Sequence, residues 1–89
     1  MKASKILDLP LKAKWYDMIE SGVKPEEYRE IKPYWEKRLI NRGYTHVRFR
    51  YGYTKRTMLR EIEGITIGYG KPEWGAPKGK QVFIIKFKN

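Results

Sequence analysis

The chain has 89 residues, and 20 Lys and Arg against 10 Asp and Glu leave a formal charge of +10. That length allows one domain with one modest core, and the charge favours a polyanionic partner. Three Trp, seven Tyr and three Phe exclude a disordered basic tail, and the lack of cysteine excludes disulfides and thiolate metal sites.

Residues 6–9, Ile-Leu-Asp-Leu, read as a short opening strand ended by Pro10. Leu11, Trp15, Met18 and Ile19 then recur at helical spacing, which predicts an amphipathic helix over 11–21 with Lys12 and Lys14 on its wet side. Gly22 is placed to end it in a left-handed conformation. A short strand is expected over 26–31, at a sheet edge because of Pro25. Pro33 starts a second helix whose apolar side is Tyr34, Trp35, Leu39 and Ile40, and residues 41–43 stop it.

Residues 45–51 form the clearest strand, with Val47, Phe49 and Tyr51 facing a core and His46, Arg48 and Arg50 facing out. A turn over 52–56 leads to a long strand over 57–69, bent near Gly64, with Ile65, Ile67 and Tyr69 facing one way. Residues 70–80 make a flexible basic loop. Its 75–81 stretch falls short of a phosphate-binding P-loop, because Trp74 and Gln81 stand where Gly and Ser or Thr are needed. The last strand, 81–88, alternates Phe83, Ile85 and Phe87 with Val82 and Ile84, so both of its faces are expected to be partly buried. The order β-α-β-α-β-β-β predicts a single α+β domain over 1–89, with a nearly closed small barrel to protect its edges.

The densest chemistry lies in Gly22-Val23-Lys24-Pro25-Glu26-Glu27-Tyr28-Arg29. Lys24 and Arg29 can hold an anion, and Glu27 and Arg29, two apart, share one strand face. The same three side chains also suit a structural ion-pair cluster that closes the barrel. A second candidate is a phosphate-tracking stripe of Arg48, Arg50, Lys55, Arg56 and Arg60, in a stretch with no acid between Glu36 and Glu61. The alternative is the wet face of an amphipathic strand. Tyr51, Tyr53, Tyr69 and Trp74 are candidates for base stacking. Tyr53 and Trp74, in loops beside glycine, suit it best, whereas Tyr51 and Tyr69 suit the core. Trp15 and Trp35 are assigned to helix packing. His46, the single histidine, reads as a solvated residue, and no metal or cofactor site is expected. No apolar run approaches a membrane span, and the opening Met-Lys-Ala-Ser-Lys lacks an apolar signal segment, so a cytoplasmic protein without membrane contact is expected.

The pattern Gly-x-Lys-x-x-Glu-x-Arg at residues 22–29 resembles the signature of ASCH domains, small β-barrels of the PUA-like superfamily associated with RNA and modified nucleosides. The likeness runs in order through most of the chain: the helix ending Met18-Ile19-Glu20-Ser21-Gly22, the motif, the strand after His46, and the Glu73-Trp74-Gly75 loop before a final strand. It implies a PUA-like pseudobarrel of about five to six strands with two helices, and a cleft in or beside which Lys24, Glu27 and Arg29 lie. One branch of the family resembles amidohydrolases that deacylate N4-acetylcytidine. There a threonine matches Glu27, beside the lysine matching Lys24, and a distant glutamate assists. Glu27 cannot supply that hydroxyl nucleophile, although a carboxylate can act as a general base for water. Glu61, Glu63 or Glu73 would then be the distant partner. Other members have been proposed as ribonucleases.

The expected function is therefore an RNA- or nucleotide-binding module, a monomer, taking single-stranded RNA or a modified nucleoside. Its contact residues would be Lys24, Arg29, Arg48, Arg50, Tyr53, Lys55, Arg56, Arg60 and Trp74. The alternative is a small hydrolase on a modified nucleoside or RNA, with Lys24 and Glu27 catalytic. A weaker alternative is a basic protein-interaction domain.

Overall fold

A computed structural model describes residues 4–89, so most of the opening segment read above for a signal, residues 1–3, lies outside the described residues. The elements are β1 (Ile6–Leu11), α1 (Ala13–Glu20), β2 (Glu26–Arg29), α2 (Pro33–Leu39), β3 (His46–Tyr51), β4 (Thr57–Tyr69), a 3-10 turn (Pro72–Trp74) and β5 (Gln81–Phe87). The five strands form one mixed sheet in the order β1-β3-β4-β5-β2, with β1 parallel to β3 and the other pairs antiparallel.

The curl of the sheet comes from β4. Its first residues pair with β3, from Thr57 to Glu61, and the rest pair with β5, with the register shifting between Ile62 and Gly64. A bulge at an interior glycine bends a strand and increases its twist. One 13-residue strand thus serves both halves of the sheet and turns it into a half-barrel. The α+β pseudobarrel with two helices expected from the sequence is the fold observed, but it stops at a half-barrel, with β1 and β2 as its edges, and does not nearly close.

Strand alternation fills the inner face. Leu7, Leu9 and Leu11 from β1 meet Val47 and Phe49 from β3, Met58 from β4, and Phe83, Ile85 and Phe87 from β5. Tyr16 and Ile19 of α1 and Leu39 of α2 close this core. Phe49 and Phe87 stack edge-on at 5.1 Å, and Tyr16 meets Tyr51 edge-on at 5.2 Å. The other face of β5 carries Val82 and Ile84 into a second cluster with Tyr28 and Ala76. Both faces of β5 are buried, as its two apolar sets require.

Several boundaries differ from the sequence expectation. β1 does not stop at Pro10 but runs through it to Leu11, which belongs to the strand and not to the helix. Leu11 turns its carbonyl to β3, accepting from Gly52 N–H at 2.8 Å, so Pro10 faces the outer edge, where a missing N–H removes no ladder bond. With α1 starting at Ala13, Tyr16 rather than Trp15 is the fully buried aromatic ring. α2 ends at Leu39 and leaves Ile40 exposed, and Tyr69, expected in the core, is 68% exposed. Among the described residues, no helix is long and apolar enough to cross a membrane.

Candidate functional site

The half-barrel is open between its edge strands, β1 and β2. What bridges the opening begins with the end of α1. Gly22, at φ +86°, reverses the chain, and Lys24 N–H donates to the Met18 carbonyl at 3.0 Å. This return tucks the Lys24 side chain beneath the helix, where only 1% of it is exposed. β2 then pairs with β5 so that Glu27 lies opposite Ile85 and Arg29 opposite Phe83. Cross-strand partners share a face, so both charged residues start from the inner face of the barrel.

Glu27 is held by two cations. Its Oε1 is 3.0 Å from Lys24 Nζ, and its Oε2 accepts from Arg29 Nη1 at 2.7 Å. Lys24 also donates to the Trp74 carbonyl and lies against two rings, 4.9 Å from the centre of Trp15 and 4.7 Å from that of Tyr28. Burial pushes the Lys24 amine below its ordinary pKa, and the Glu27 charge opposes that shift. Arg29 extends from the cluster to the opening. Its Nη2 reaches toward the Pro10 carbonyl of β1 at 3.4 Å, and its guanidinium faces Trp35 of α2 at 5.2 Å.

The same cluster docks the 70–80 segment. Gly70 lies so close to Tyr28 that a Cβ there would meet the ring at 2.5 Å, and Gly75, at φ +100°, faces Trp15. With the Trp74 carbonyl held by Lys24, the basic loop expected from the sequence is seated on α1 and β2.

Two clefts meet at Arg29 and Trp35. The first, about 430 Å³, runs along the seam between β1 and α2, past Asp8, Pro10, Tyr34 and Tyr44. The second, about 440 Å³, lies between β2 and the docked segment, past Lys32, Ala76 and Lys80.

The remaining candidates are spread out. Arg48 lies on the outer face and pairs with Asp8 at 2.7 Å. Arg50 is exposed beside it, in register with Pro10, so this pair borders the first cleft. Tyr53, 95% exposed, and Lys55 stand at the β3–β4 turn. Arg56 pairs with Glu20 at 2.8 Å and stacks on Tyr51 and Tyr16. Arg60 breaks the stripe: it lies opposite the inward Val47, between Met58 and Ile62, and therefore starts from the inner face. Trp74 is half-buried on the second core, with Lys71 over its ring at 4.6 Å.

Lys24 and Glu27 do not meet solvent, and both oxygens of Glu27 are occupied by cations. Of the three distant glutamates, Glu61 pairs with Lys88 at 3.4 Å and lies opposite His46 on the outer face of β4, whereas Glu27 starts from the inner face of β2. Arg29 is the one residue of the sequence-based contact set that lines these two clefts, and Trp35, Lys32 and Lys80 are among the lining residues outside it. Trp35 is partly buried against the main core, as its assignment to helix packing requires, and Tyr34, 51% exposed, meets it edge-on at 4.9 Å. No family model matches the chain, and the search of curated proteins found no match.

Proposed function

We propose that the chain is an RNA- or nucleotide-binding module of the ASCH, PUA-like kind, and that the opening between β1 and β2 is its binding cleft. The observation that carries this reading is Arg29. It is the motif side chain that reaches the opening, it lies against the Trp35 ring, and buried Glu27 holds one of its nitrogens at 2.7 Å. Its Nη1 also donates to the Tyr28 carbonyl at 2.7 Å and its Nη2 to the Pro10 carbonyl at 3.4 Å, so Nε and the second Nη2 N–H remain for a base edge or a phosphate. Trp35 supplies an aromatic wall for stacking. The charge of +10, with Arg48 and Arg50 bordering the first cleft, favours a polyanion. The cytoplasmic expectation accompanies this reading.

The hydrolase alternative has less support. A general base needs a free lone pair within reach of a water or a substrate proton. Glu27 is 4% exposed and engages a cation at each oxygen, so its geometry is that of a positioning residue.

The test is a titration with an eight-nucleotide single-stranded RNA at two salt concentrations, following tryptophan fluorescence and RNA integrity. The expected result is salt-sensitive binding of intact RNA, weakened about ten-fold or more by Trp35→Ala, in keeping with roughly 1–3 kcal/mol per stacked base. Binding indifferent to both salt and Trp35 would reject the cleft. RNA loss that disappears in Glu27→Gln would restore the hydrolase.

A further inference from the structure

The two clefts that share Arg29 and Trp35 differ in chemistry. In the first, Tyr34, Trp35, Tyr44, Ile6 and Pro10 supply ring and apolar surface. Its charges are already engaged. Asp8 holds Arg48 at 2.7 Å, and Arg38 lies over the Tyr34 ring at 3.6 Å while donating to the Tyr34 carbonyl. In the second, Lys32 and Lys80 stand beside Arg29, which is already paired with Glu27, and Glu30 is the one carboxylate of the lining. Among the described residues Lys80 has no ion pair. Lys32 is 3.7 Å from Glu30 with both side chains about half exposed, a loose pair that an incoming anion can displace. Lys80 follows Gly79, at φ +73°, and ends the segment docked through Gly75 and the Trp74 carbonyl, so its place beside the cleft is set by that docking.

We infer that the second cleft is a phosphate subsite, formed by Lys32 and Lys80 beside Arg29, and that the first cleft takes the base against Trp35. This rests on the proposed nucleotide-binding function and narrows it: the preferred ligand class is a phosphorylated nucleotide rather than a free nucleoside. Arg29 and Trp35, shared by both clefts, form the partition that the sugar crosses. The phosphate is recognised by ammonium charge in an open cleft, so its contribution falls with salt, whereas stacking of the base is salt-tolerant.

The experiment titrates the full chain with the four ribonucleosides, their 5′-monophosphates, inorganic phosphate and the eight-nucleotide RNA, at low and moderate salt. The expected result is that a monophosphate binds about ten-fold or more tightly than its nucleoside, that this ratio shrinks with salt, and that inorganic phosphate competes with the monophosphate. In Lys32→Gln/Lys80→Gln the ratio should fall to about one. Lys12→Gln/Lys37→Gln, which removes the same charge elsewhere, should keep it. Equal affinities for nucleoside and monophosphate, a ratio that survives Lys32→Gln/Lys80→Gln, or RNA binding with no monophosphate binding would each overturn the subsite while leaving the RNA-binding function standing. Absence of binding to RNA and to every mononucleotide would overturn both.

Discussion

The Glu27 carboxylate and the Arg29 guanidinium meet at 2.7 Å on one face of β2, with Lys24 Nζ 3.0 Å from the other carboxylate oxygen. The three charges sit at different depths. Lys24 and Glu27 are sealed from solvent, and Arg29 remains 16% exposed at the opening. The buried carboxylate therefore does two things at once. It neutralises an ammonium that could not otherwise stay charged in the interior, and it aims the arginine.

Glu27→Gln should destabilise the domain by about 3 kcal/mol, because it leaves the Lys24 charge buried without its counter-ion. Lys24→Met should cost less, about 2 kcal/mol, since Glu27 keeps Arg29 although its Oε1 and the Trp74 carbonyl lose their donor. Urea denaturation of both variants checks the order. Equal stabilities would mean that the ammonium is compensated elsewhere.

Gly70→Ala should cost about 1–3 kcal/mol, because the added Cβ would lie 2.5 Å from the Tyr28 ring and 2.6 Å from the Ala76 Cβ. Gly64→Ala, where a Cβ meets nothing within 4 Å, should stay within about 0.5 kcal/mol of wild type. Thermal melts of the pair test whether the 70–80 segment is docked as described. A neutral Gly70→Ala would mean that the segment stands off β2.

Tyr28 couples the same segment to pH. Its hydroxyl donates to Glu26 Oε2 at 2.7 Å and accepts from Lys71 N–H at 3.0 Å. Burial raises its pKa above the ordinary 10.0, and the hydrogen bond to Glu26 adds to the rise. A raised folded-state pKa contributes stability that is fully present below pH 10 and is lost above it, as the unfolded chain ionises first. The loss is at most about 1.4 kcal/mol per pH unit. Tyr28→Phe should thus be less stable than wild type by about 1–2 kcal/mol at pH 8, with the gap holding to about pH 10 and closing above it. Urea midpoints across that range decide it. A constant gap would remove the phenol from the alkaline transition.

Asp8→Asn frees Arg48 at the border of the first cleft. The pair is roughly half exposed, at 41% and 51%, so stability should change by less than about 1 kcal/mol. Affinity for single-stranded RNA should rise a few-fold at low salt and converge with wild type at high salt. An unchanged low-salt affinity would take Arg48 out of the RNA surface.

Much of the architecture was legible because strand alternation is a local signal. Val47 and Phe49, then Phe83, Ile85 and Phe87, identified their core faces, and Val82 and Ile84 signalled that β5 is buried on both sides. Gly64 marked the bend in β4. Pro10 misled, because a proline ends a strand only where its N–H would join the ladder, and which edge β1 occupies is a property of the whole sheet. Arg60 misled for a related reason. A run of basic residues in sequence becomes one surface only if the register of two strands agrees, and β4 sets Arg60 opposite Val47.

The amino-acid order by itself determined the charge, the alternation, the α+β element order and the spacing that puts Glu27 and Arg29 on one face of β2. The tertiary structure decided how deep each charge lies and which partner it meets. Lys24 meets the Trp74 carbonyl, 50 residues away, and Arg29 meets Pro10 and Trp35 across the open edges of the half-barrel. Burial and long-range pairing follow from how the curled sheet brings β1, β2 and the 70–80 segment together. Periodicity within one segment carries no information about that closure.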